Sequence, residues 1–393
     1  MKTKSIPLGV AVSVGLLLIV SGFVAGNRWY DIVNFIDGQR GANEQLPDDL
    51  DYSEVEEVYD SLRSNFDGQL DIEKLIDGLK AGLVEATGDP YTVYLTQEES
   101  NEFLDSLNGT FTGIGAELGI DDDQLIVVAP LDGFPADKAG LRARDVVVKI
   151  NGEDTIGIKV EEAVNKIRGP QGTEVTLTIT RAGRTFDLTI TREEITVPSV
   201  TSEIKNGLGY LRVSRFSEDT NQLARAAANQ FRQSGVKGVI LDLRNNGGGF
   251  LSGAVDLAGL WLDGDVVVQE RRSEQVIDTL EAGHNAILNG IPTIVLVNEG
   301  SASASEIVAG ALKDHGAARL VGVTTFGKGS VQELEKLKSG GTLKVTIARW
   351  YTPNGHNIDN QGIGPDIEVK PSNKNIEDGN DVQRARAEKE LAN

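Results

Sequence analysis

The strongest constraint on the fold is a repeated pattern in which a buried strand leads into an amphipathic helix through small residues. Residues 291–297 (Ile-Pro-Thr-Ile-Val-Leu-Val) are short, apolar and rich in β-branched side chains, as is typical of a buried strand. Apolar residues then recur at helical spacing from Ala304 to Leu312. Residues 239–243 form a second such strand, followed by a glycine run and an apolar helix over 251–262. The pattern predicts an α/β domain whose strand-to-helix junctions lie at the carboxyl ends of strands, where open α/β sheets place their sites.

Two short segments in this region carry residues suited to nucleophilic chemistry. Residues 300–306 (Gly-Ser-Ala-Ser-Ala-Ser-Glu) place Ser303 where a helix should begin, and unpaired N–H groups there favour a developing negative charge. Residues 326–332 (Phe-Gly-Lys-Gly-Ser-Val-Gln) place Lys328 between glycines, and an extended backbone would put Gln332 on the same face. A lysine that stays neutral can accept the proton of a nucleophilic serine. For either segment alone, a helix cap or a solvated turn lysine is the simpler interpretation, but the two together favour a catalytic pair.

Other catalytic motifs are incomplete. Residues 322–328 begin like a phosphate-binding loop, but glycine follows where the magnesium-binding serine or threonine belongs. Residues 113–115 lack the third glycine of a dinucleotide fingerprint, and Ser-x-x-Lys at 202–205 has no companion β-lactamase motifs. The chain has no cysteine, and its three histidines have no ligand spacing, so neither a metal nor another cofactor is expected. A serine–histidine triad through His284 or His315 has no supporting motif.

Together these segments resemble the carboxyl-terminal processing peptidases, or tail-specific proteases, a family of serine–lysine endopeptidases. The resemblance covers roughly residues 50 to 370 and includes several motifs in the family's order. Besides the two segments above, they are Gly-Asp-Pro-Tyr at 88–91, Gly-Ile-Gly at 113–115, Asp-Leu-Arg-Asn-Asn-Gly-Gly-Gly at 242–249 and Tyr-Thr-Pro at 351–353. The resemblance implies that Ser303 is the nucleophile, Lys328 the general base and Gln332 the residue that orients the base.

The expected chemistry makes two demands on the surroundings of this pair. An unperturbed lysine has a pKa of about 10.4, so burial must lower the pKa of Lys328 before it can act as a base. The oxyanion should be bound by the N–H of Ala304 and by one N–H from the glycine run. The sequence favours Gly248 or Gly249 for the second donor without separating them.

The chain divides into six predicted segments, and the predicted fold class is multidomain α/β. The segments are a signal-anchor or transmembrane helix (1–26), a linker (27–46), an N-terminal helical region (47–106), a PDZ-like domain (107–193), the catalytic domain (194–372) and a charged tail (373–393). By resemblance, the catalytic domain has the crotonase-like or Clp-protease-like α/β fold, into which the β-rich PDZ-like domain is inserted. No chemistry is assigned to the tail.

The layout of residues 107–193 is that of a PDZ-like domain, with alternating strands, an Asn-Gly turn at 151–152 and an amphipathic helix over 159–167. Such a domain adds an extended peptide to a sheet edge while loop N–H groups capture the terminal carboxylate. The candidate peptide-binding residues are Gly113, Ile114, Gly115 and Arg168. Arg168 could instead cap its helix or contact another domain, and a purely structural sandwich is the alternative for the whole domain.

The N-terminus carries an uncharged, mostly apolar stretch over residues 5–27, enough to span a bilayer core of about 30 Å as a helix. Lys2 and Lys4 precede it, which favours a cytoplasmic N-terminus and a body outside the cytoplasm, in the periplasm or at the cell surface. A signal peptide cleaved near residues 24–26 is the alternative. The net charge of −21 argues against nucleic-acid binding.

The sequence therefore predicts a membrane-anchored, extracytoplasmic serine endopeptidase. Its expected partners are the C-terminal tails of proteins or peptides, bound through the PDZ-like domain, and the membrane, bound through the anchor. A homo-oligomer or an activating adaptor stays open, as does a gate formed by the PDZ-like domain. The alternative functions are a PDZ scaffold with an inactive peptidase domain and a crotonase-like acyl-thioester enzyme.

Overall fold

The computed structural model describes residues 51–121, 124–131, 133–372, 374–375 and 380–392. The predicted anchor (1–26) and linker (27–46) lie outside these residues. Within the described ranges, no helix combines the length and the apolar character needed to cross a membrane. The chain separates into two compact units, Met1–Ile76 and Asp77–Asn393.

The described part of the first unit is helical, as the spacing of its apolar residues predicts. It contains α1 (Ser53–Asn65) and the start of α2 (Ile72–Glu85), which continues into the second unit. Asp71 begins α2 by accepting the N–H groups of Glu73 and Lys74 with one carboxylate oxygen. The second unit then continues with β1 (Val93–Leu95) and α3 (Gln97–Asn108).

The PDZ-like region is a β-rich domain with its own apolar core. Its elements are β2 (Thr110–Gly113), β3 (Ala116–Asp121), β4 (Gln124–Pro130), α4 (Pro135–Lys138), β5 (Val146–Ile150), β6 (Glu153–Asp154), α5 (Val160–Ile167), β7 (Glu174–Arg181), β8 (Arg184–Thr191) and β9 (Glu193–Thr196). The strand order β3-β4-β5-β7-β8, with β6 beside β5, forms the main sheet. The expected turn between β5 and β6 is present, since Asn151 and Gly152 both have positive φ angles. Strands β2 and β9 pair separately, where the chain enters and leaves the domain.

The remaining elements form an α/β domain with two sheets. They are β10 (Val200–Lys205), β11 (Leu208–Val213), α6 (Thr220–Gln233), β12 (Gly238–Asp242), α7 (Leu251–Ala258), β13 (Val266–Arg272), β14 (Gln275–Glu281), β15 (Thr293–Val297), α8 (Ala304–Asp314), β16 (Arg319–Gly322), β17 (Ser330–Lys336), β18 (Thr342–Tyr351), β19 (Ile367–Glu368) and α9 (Val382–Ala392). One sheet has the order β10-β11-β12-β15-β16-β19 and is parallel except for the pair β10–β11. The other has the order β1-β18-β13-β14, with β17 also paired to β18.

Helices cover both faces of the mainly parallel sheet. Along β12, Val239 and Leu241 pack into the large core with α6, α7 and α8, whereas Ile240 packs into a second core with Ala387 of α9. Successive strand residues point to opposite faces, so a sheet covered on both sides needs a continuous apolar run. This explains the run over 239–243. It also shows that the segment predicted as a charged tail contains a helix that packs on the sheet.

Candidate active site

Ser303 lies in a sharp turn between β15 and α8. Its φ of 54° and ψ of −116° are rarely adopted by residues with a side chain, so the surrounding structure must hold the turn. The Ser303 N–H donates to Glu306 Oε2 at 2.8 Å. On the preceding residue, the Ala302 N–H donates to the carbonyl of Asn246 at 3.0 Å. The turn therefore joins the β15–α8 junction to the glycine-rich loop after β12.

Lys328 lies in the loop before β17, between two closely packed glycines. A Cβ atom on Gly329 would lie 2.5 Å from Asp359, and one on Gly327 would lie 2.9 Å from the nitrogen of Gly362. Any side chain at either position would collide with the 359–362 segment. This packing half-buries Lys328. Burial, aided by the positive charge of Lys344, lowers the pKa of Lys328 despite the opposing effect of Glu306.

Glu306 connects the two segments and had no assigned role in the sequence interpretation. Its side chain is fully buried, at 0% exposure. One carboxylate oxygen accepts the Ser303 N–H at 2.8 Å and the Lys328 N–H at 2.9 Å. The other accepts the Gly327 N–H at 2.7 Å and the Thr325 hydroxyl at 2.6 Å. The Ser-x-x-Glu spacing of a capping box was the sequence signal that could have indicated the contact with Ser303, but not the contacts with Gly327 and Lys328.

The glycine run brings one of its two candidate residues directly against Ser303. A Cβ atom on Gly248, whose φ is 106°, would lie 2.8 Å from Ser303 Cβ and 3.2 Å from the Ala304 nitrogen. The Gly248 N–H donates to Asn246 Oδ1 at 2.9 Å. Gly249 instead forms a bridge to Phe216. Gly248 is thus the glycine beside Ser303, although its N–H already has an acceptor.

A cavity of about 430 Å³ joins these residues. Ser303, Ala304, Lys328, Gln332, Gly248 and Gly249 all line it. Its apolar wall comes from several elements and consists of Phe103, Leu107, Phe250, Leu251, Ile307, Val331, Leu334 and Trp350. Phe103 and Leu107 belong to α3, so the N-terminal helical region contributes directly to this site.

The predicted contact between Gln332 and Lys328 is not formed in this structure. The Gln332 amide donates to Ser330 Oγ at 2.7 Å and to Thr346 Oγ1 at 3.5 Å. Among the described residues, no hydrogen bond links the Lys328 amine to Gln332 or to the Ser303 hydroxyl. The amine instead lies 5.3 Å from the centroid of the Tyr91 ring.

The histidines lie away from this cavity. His315 contacts the carbonyl of Val266 through Nε2 at 2.7 Å, and the largely exposed His284 lies beside Asp263. His356 is in the loop after β18. No histidine belongs to the cavity lining, so the geometry favours Lys328 over a histidine as the partner of Ser303.

The candidate peptide-binding residues lie at the start of the PDZ-like domain and at the end of its α5 helix. Gly113 ends β2, and Ile114 is buried in the domain core. Gly115 has a φ of 70°, and its carbonyl accepts the Leu131 N–H at 2.9 Å. Arg168 ends α5, and its guanidinium lies 4.8 Å from the centroid of the Phe111 ring on β2. Arg168 thus contacts the strand by which the chain enters the domain.

A larger cavity, of about 790 Å³, lies beside Asp242 and Arg244. It contains none of the predicted catalytic residues. No group of three or more histidine or acidic side chains with metal-binding geometry occurs in the part of the chain that the structure describes.

Comparisons with known proteins identify two regions. Residues 207–369 match the model of peptidase family S41, and residues 126–181 match a PDZ domain. The chain is 36% identical to the carboxy-terminal processing protease CtpA of Bacillus subtilis strain 168, over 88% of this chain and 73% of that protein. It is 38% identical to a probable CtpA-like serine protease of Staphylococcus aureus strain MSSA476, over 82% of this chain. That match spans 65% of the staphylococcal protein's length.

A solved structure agrees with this assignment. The photosystem II D1 C-terminal processing protease is 30% identical to the chain and superimposes with a TM-score of 0.51, covering 82% of this chain and 88% of that one. These similarities confirm the resemblance that the sequence motifs indicated. The chain belongs to peptidase family S41, and it carries a PDZ domain ahead of its α/β peptidase domain.

Proposed function

We propose that the protein is an extracytoplasmic serine endopeptidase that recognises C-terminal tails of proteins through its PDZ domain and cleaves them with Ser303 and Lys328. The observation that carries this proposal is the shared cavity, which is lined by Ser303 at a helix N-terminus and by the half-buried Lys328. Burial of Lys328 lowers its pKa and so increases the neutral fraction that can accept a proton.

In the proposed reaction, Ser303 Oγ attacks the scissile carbonyl carbon while the neutral Lys328 amine takes the serine proton. The resulting oxyanion is bound by the Ala304 N–H and by an N–H of Gly248 or Gly249. Using the Gly248 N–H would require the substrate oxygen to replace Asn246 Oδ1 as its acceptor. Lys328 then gives its proton to the leaving amine as the C–N bond breaks. Water, activated by the same amine, hydrolyses the acyl-serine ester.

The direct contact between Lys328 and Ser303 is expected to form when substrate binds, because catalytic hydrogen bonds are often loose in free enzymes. Gln332 is proposed to orient the base in that state. It would have to exchange its contact with Ser330 for the Lys328 amine.

Two features support a protein tail as the substrate. A PDZ domain binds extended C-termini by adding them to a sheet edge, and the names of the Bacillus subtilis and photosystem relatives both refer to C-terminal processing. The cavity wall beside Ser303 is mostly apolar, which favours apolar side chains near the scissile bond. The extracytoplasmic location rests on the charge pattern around residues 5–27. Reporter fusions after residue 50 would test it.

Intact-mass analysis of an unstructured protein with an apolar C-terminus tests the activity. The substrate would be incubated with the full chain in detergent and with its Ser303→Ala and Lys328→Ala forms. Cleavage only by the unaltered protein is the expected result. Unchanged cleavage by either variant would refute the catalytic pair. Tail binding without cleavage by any form would favour the PDZ scaffold, and thioester turnover alone would favour the crotonase-like enzyme.

A further inference from the structure

The turn formed by the Gly-Asp-Pro-Tyr motif lies beside the proposed base. The Tyr91 ring centroid is 5.3 Å from Lys328 Nζ. The turn is fixed by Asp89, which accepts the Tyr91 N–H at 3.3 Å and the Thr92 hydroxyl at 2.5 Å. Thr92 Oγ1 in turn accepts the N–H of Thr346 on β18 at 3.1 Å. The Tyr91 ring is therefore held against the lysine by a hydrogen-bonded anchor on the catalytic domain.

The nearby carboxylates are engaged elsewhere. Glu306 uses both oxygens for the turns that carry Ser303 and Lys328. Asp359 accepts the Gly329 N–H and pairs with Arg349, while Asp89 binds within its own turn. The positive charge of Lys344, which also lines this cavity, disfavours an ammonium group on Lys328. The charge of Glu306 still favours the ammonium, and the π-face of Tyr91 is an uncharged favourable neighbour of the Lys328 amine.

A base needs a stabilising neighbour most when it has just accepted a proton. In the proposed reaction Lys328 becomes an ammonium ion as Ser303 loses its proton. An aromatic face attracts a cation within about 6 Å without carrying charge, by roughly 0.5–2 kcal/mol according to desolvation. A carboxylate in the same place would instead favour the ammonium strongly in the resting enzyme and abolish the neutral form.

We propose that Tyr91 is a positioning residue for the general base, whose ring face holds the Lys328 amine and stabilises the ammonium formed during acylation. The inference rests on the proposed function, because it assigns Tyr91 a part in that reaction. It also gives the Gly-Asp-Pro-Tyr motif a role: the turn carries an aromatic face from the N-terminal region into the catalytic site.

The first test measures the titration of Lys328 without using catalysis. In full-length protein carrying Ser303→Ala, trace acetic anhydride would label amines at a series of pH values, and mass spectrometry would locate the label on Lys328. Tyr91→Phe keeps the ring and should leave the Lys328 pKa unchanged. Tyr91→Leu keeps an apolar side chain but removes the ring, so the pKa should fall by about 0.4–1.5 units. An unchanged or raised pKa in Tyr91→Leu would overturn the proposal.

A matched control is available three residues along the chain. Tyr94 places its ring 4.9 Å from Lys80, and Tyr94→Leu removes that ring. This variant should leave the Lys328 pKa unchanged. A fall equal to that in Tyr91→Leu would show a general disturbance of the region and overturn the specific assignment.

The second test uses the active serine. At pH values where Lys328 is neutral and the rate no longer rises with pH, Tyr91→Leu should lower kcat about 2- to 30-fold with KM unchanged. The kcat of Tyr91→Phe should remain within about twofold of wild type. An equal loss in both variants would implicate the hydroxyl group and overturn the role of the ring. If wild type itself cleaves nothing, the proposed function fails, while the labelling experiment still decides whether Tyr91 controls the titration of Lys328.

Discussion

Glu306 places a buried carboxylate between the turn that carries Ser303 and the loop that carries Lys328. Each hydrogen bond to a charged acceptor contributes about 1.5–3 kcal/mol, and donors left without an acceptor carry a further penalty. Glu306→Gln should therefore destabilise the protein by roughly 2–4 kcal/mol, since an amide NH₂ would face N–H donors. It should also lower kcat/KM at least tenfold if Ser303 and Lys328 act as proposed, because the segments that carry them lose their common anchor. Urea unfolding and peptide hydrolysis measure the two effects.

Glu299→Gln is the matched control for this substitution. Glu299 is exposed in the loop after β15, so loss of its charge should change stability by less than about 0.5 kcal/mol. Wild-type kinetics in Glu306→Gln would contradict the anchoring role.

Lys344 should affect the pH dependence of peptide hydrolysis through the pKa of Lys328. Its positive charge and the burial of Lys328 both lower the pKa of Lys328. In the proposed reaction the neutral amine is the active form, so kcat/KM should rise with pH through that pKa. Lys344→Met removes the repulsion between the Lys344 and Lys328 ammonium groups, which raises the pKa of Lys328. The acid limb of the pH profile, over which kcat/KM rises, should therefore move to higher pH. Lys338→Met, at an exposed turn, should leave the limb in place. A limb that moves to lower pH in Lys344→Met would contradict this electrostatic argument.

Sequence reasoning proposed roles only for residues that belong to local motifs. Ser303 and Ala304 follow from a strand-to-helix junction, and Lys328 from a turn between glycines. It did not assign Glu306 or Tyr91 a role because their effects come from contacts across the chain. Glu306 contacts a loop more than twenty residues away, and Tyr91 reaches Lys328 from a different region. Spacing along one helix or strand carries no information about such contacts.

The contacts of the C-terminal helix α9 also could not be predicted from sequence spacing. Residues 382–392 form a helix within the segment that was predicted as a charged tail. The structure buries Gln383 and Ala387 against the parallel sheet. Arg244, in the loop after β12, binds Asp242 and Asp381 with distances of 2.6–2.9 Å. Arg244 thus links the start of α9, through Asp381, to the end of β12, through Asp242.

Two substitutions compare the buried ion pair of Arg244 with Asp242 and its more exposed ion pair with Asp381. The Asp242 side chain is 2% exposed and Arg244 is 16% exposed, whereas Asp381 is 40% exposed. Arg244→Met leaves a buried carboxylate without its cation and should cost about 3–5 kcal/mol of unfolding free energy. Asp381→Asn affects a partly solvated pair and should cost about 1 kcal/mol or less. Urea unfolding compares them, and equal losses would contradict this difference in burial.

At the scale of the molecule, the order of domains could be read from the sequence because each has a distinct periodicity. Alternating strands and an Asn-Gly turn indicated the PDZ-like domain, and apolar strand runs followed by helices indicated the α/β domain. The participation of the N-terminal region in the active site was not predicted. Phe103 and Leu107 reach the cavity because β1 pairs with β18, an antiparallel contact between segments about 250 residues apart.

The way the PDZ domain joins the peptidase domain permits a direct test of their division of labour. Strands β2 and β9 pair antiparallel, with Gly113 opposite Glu193 at the end of the ladder. Replacing residues 114–192 by Asn-Gly would close this pair as a two-residue hairpin. The apolar cores of the two domains are separate clusters, so the peptidase core should stay intact.

The excised protein should cleave a short unstructured peptide at a rate within a few-fold of the full chain, since Ser303, Lys328 and the cavity wall lie outside the deleted range. It should lose the proposed preference for a protein with a free apolar C-terminus over the same protein with an amidated C-terminus, because the PDZ domain proposed to bind the terminal carboxylate is gone. The two substrates would be compared by kcat/KM, with the Ser303→Ala form of the excised protein as the blank. Retained discrimination would place tail recognition in the peptidase domain. Loss of peptide cleavage in a folded excised protein would mean that the PDZ domain completes the active site, because its deletion leaves the cavity residues unchanged.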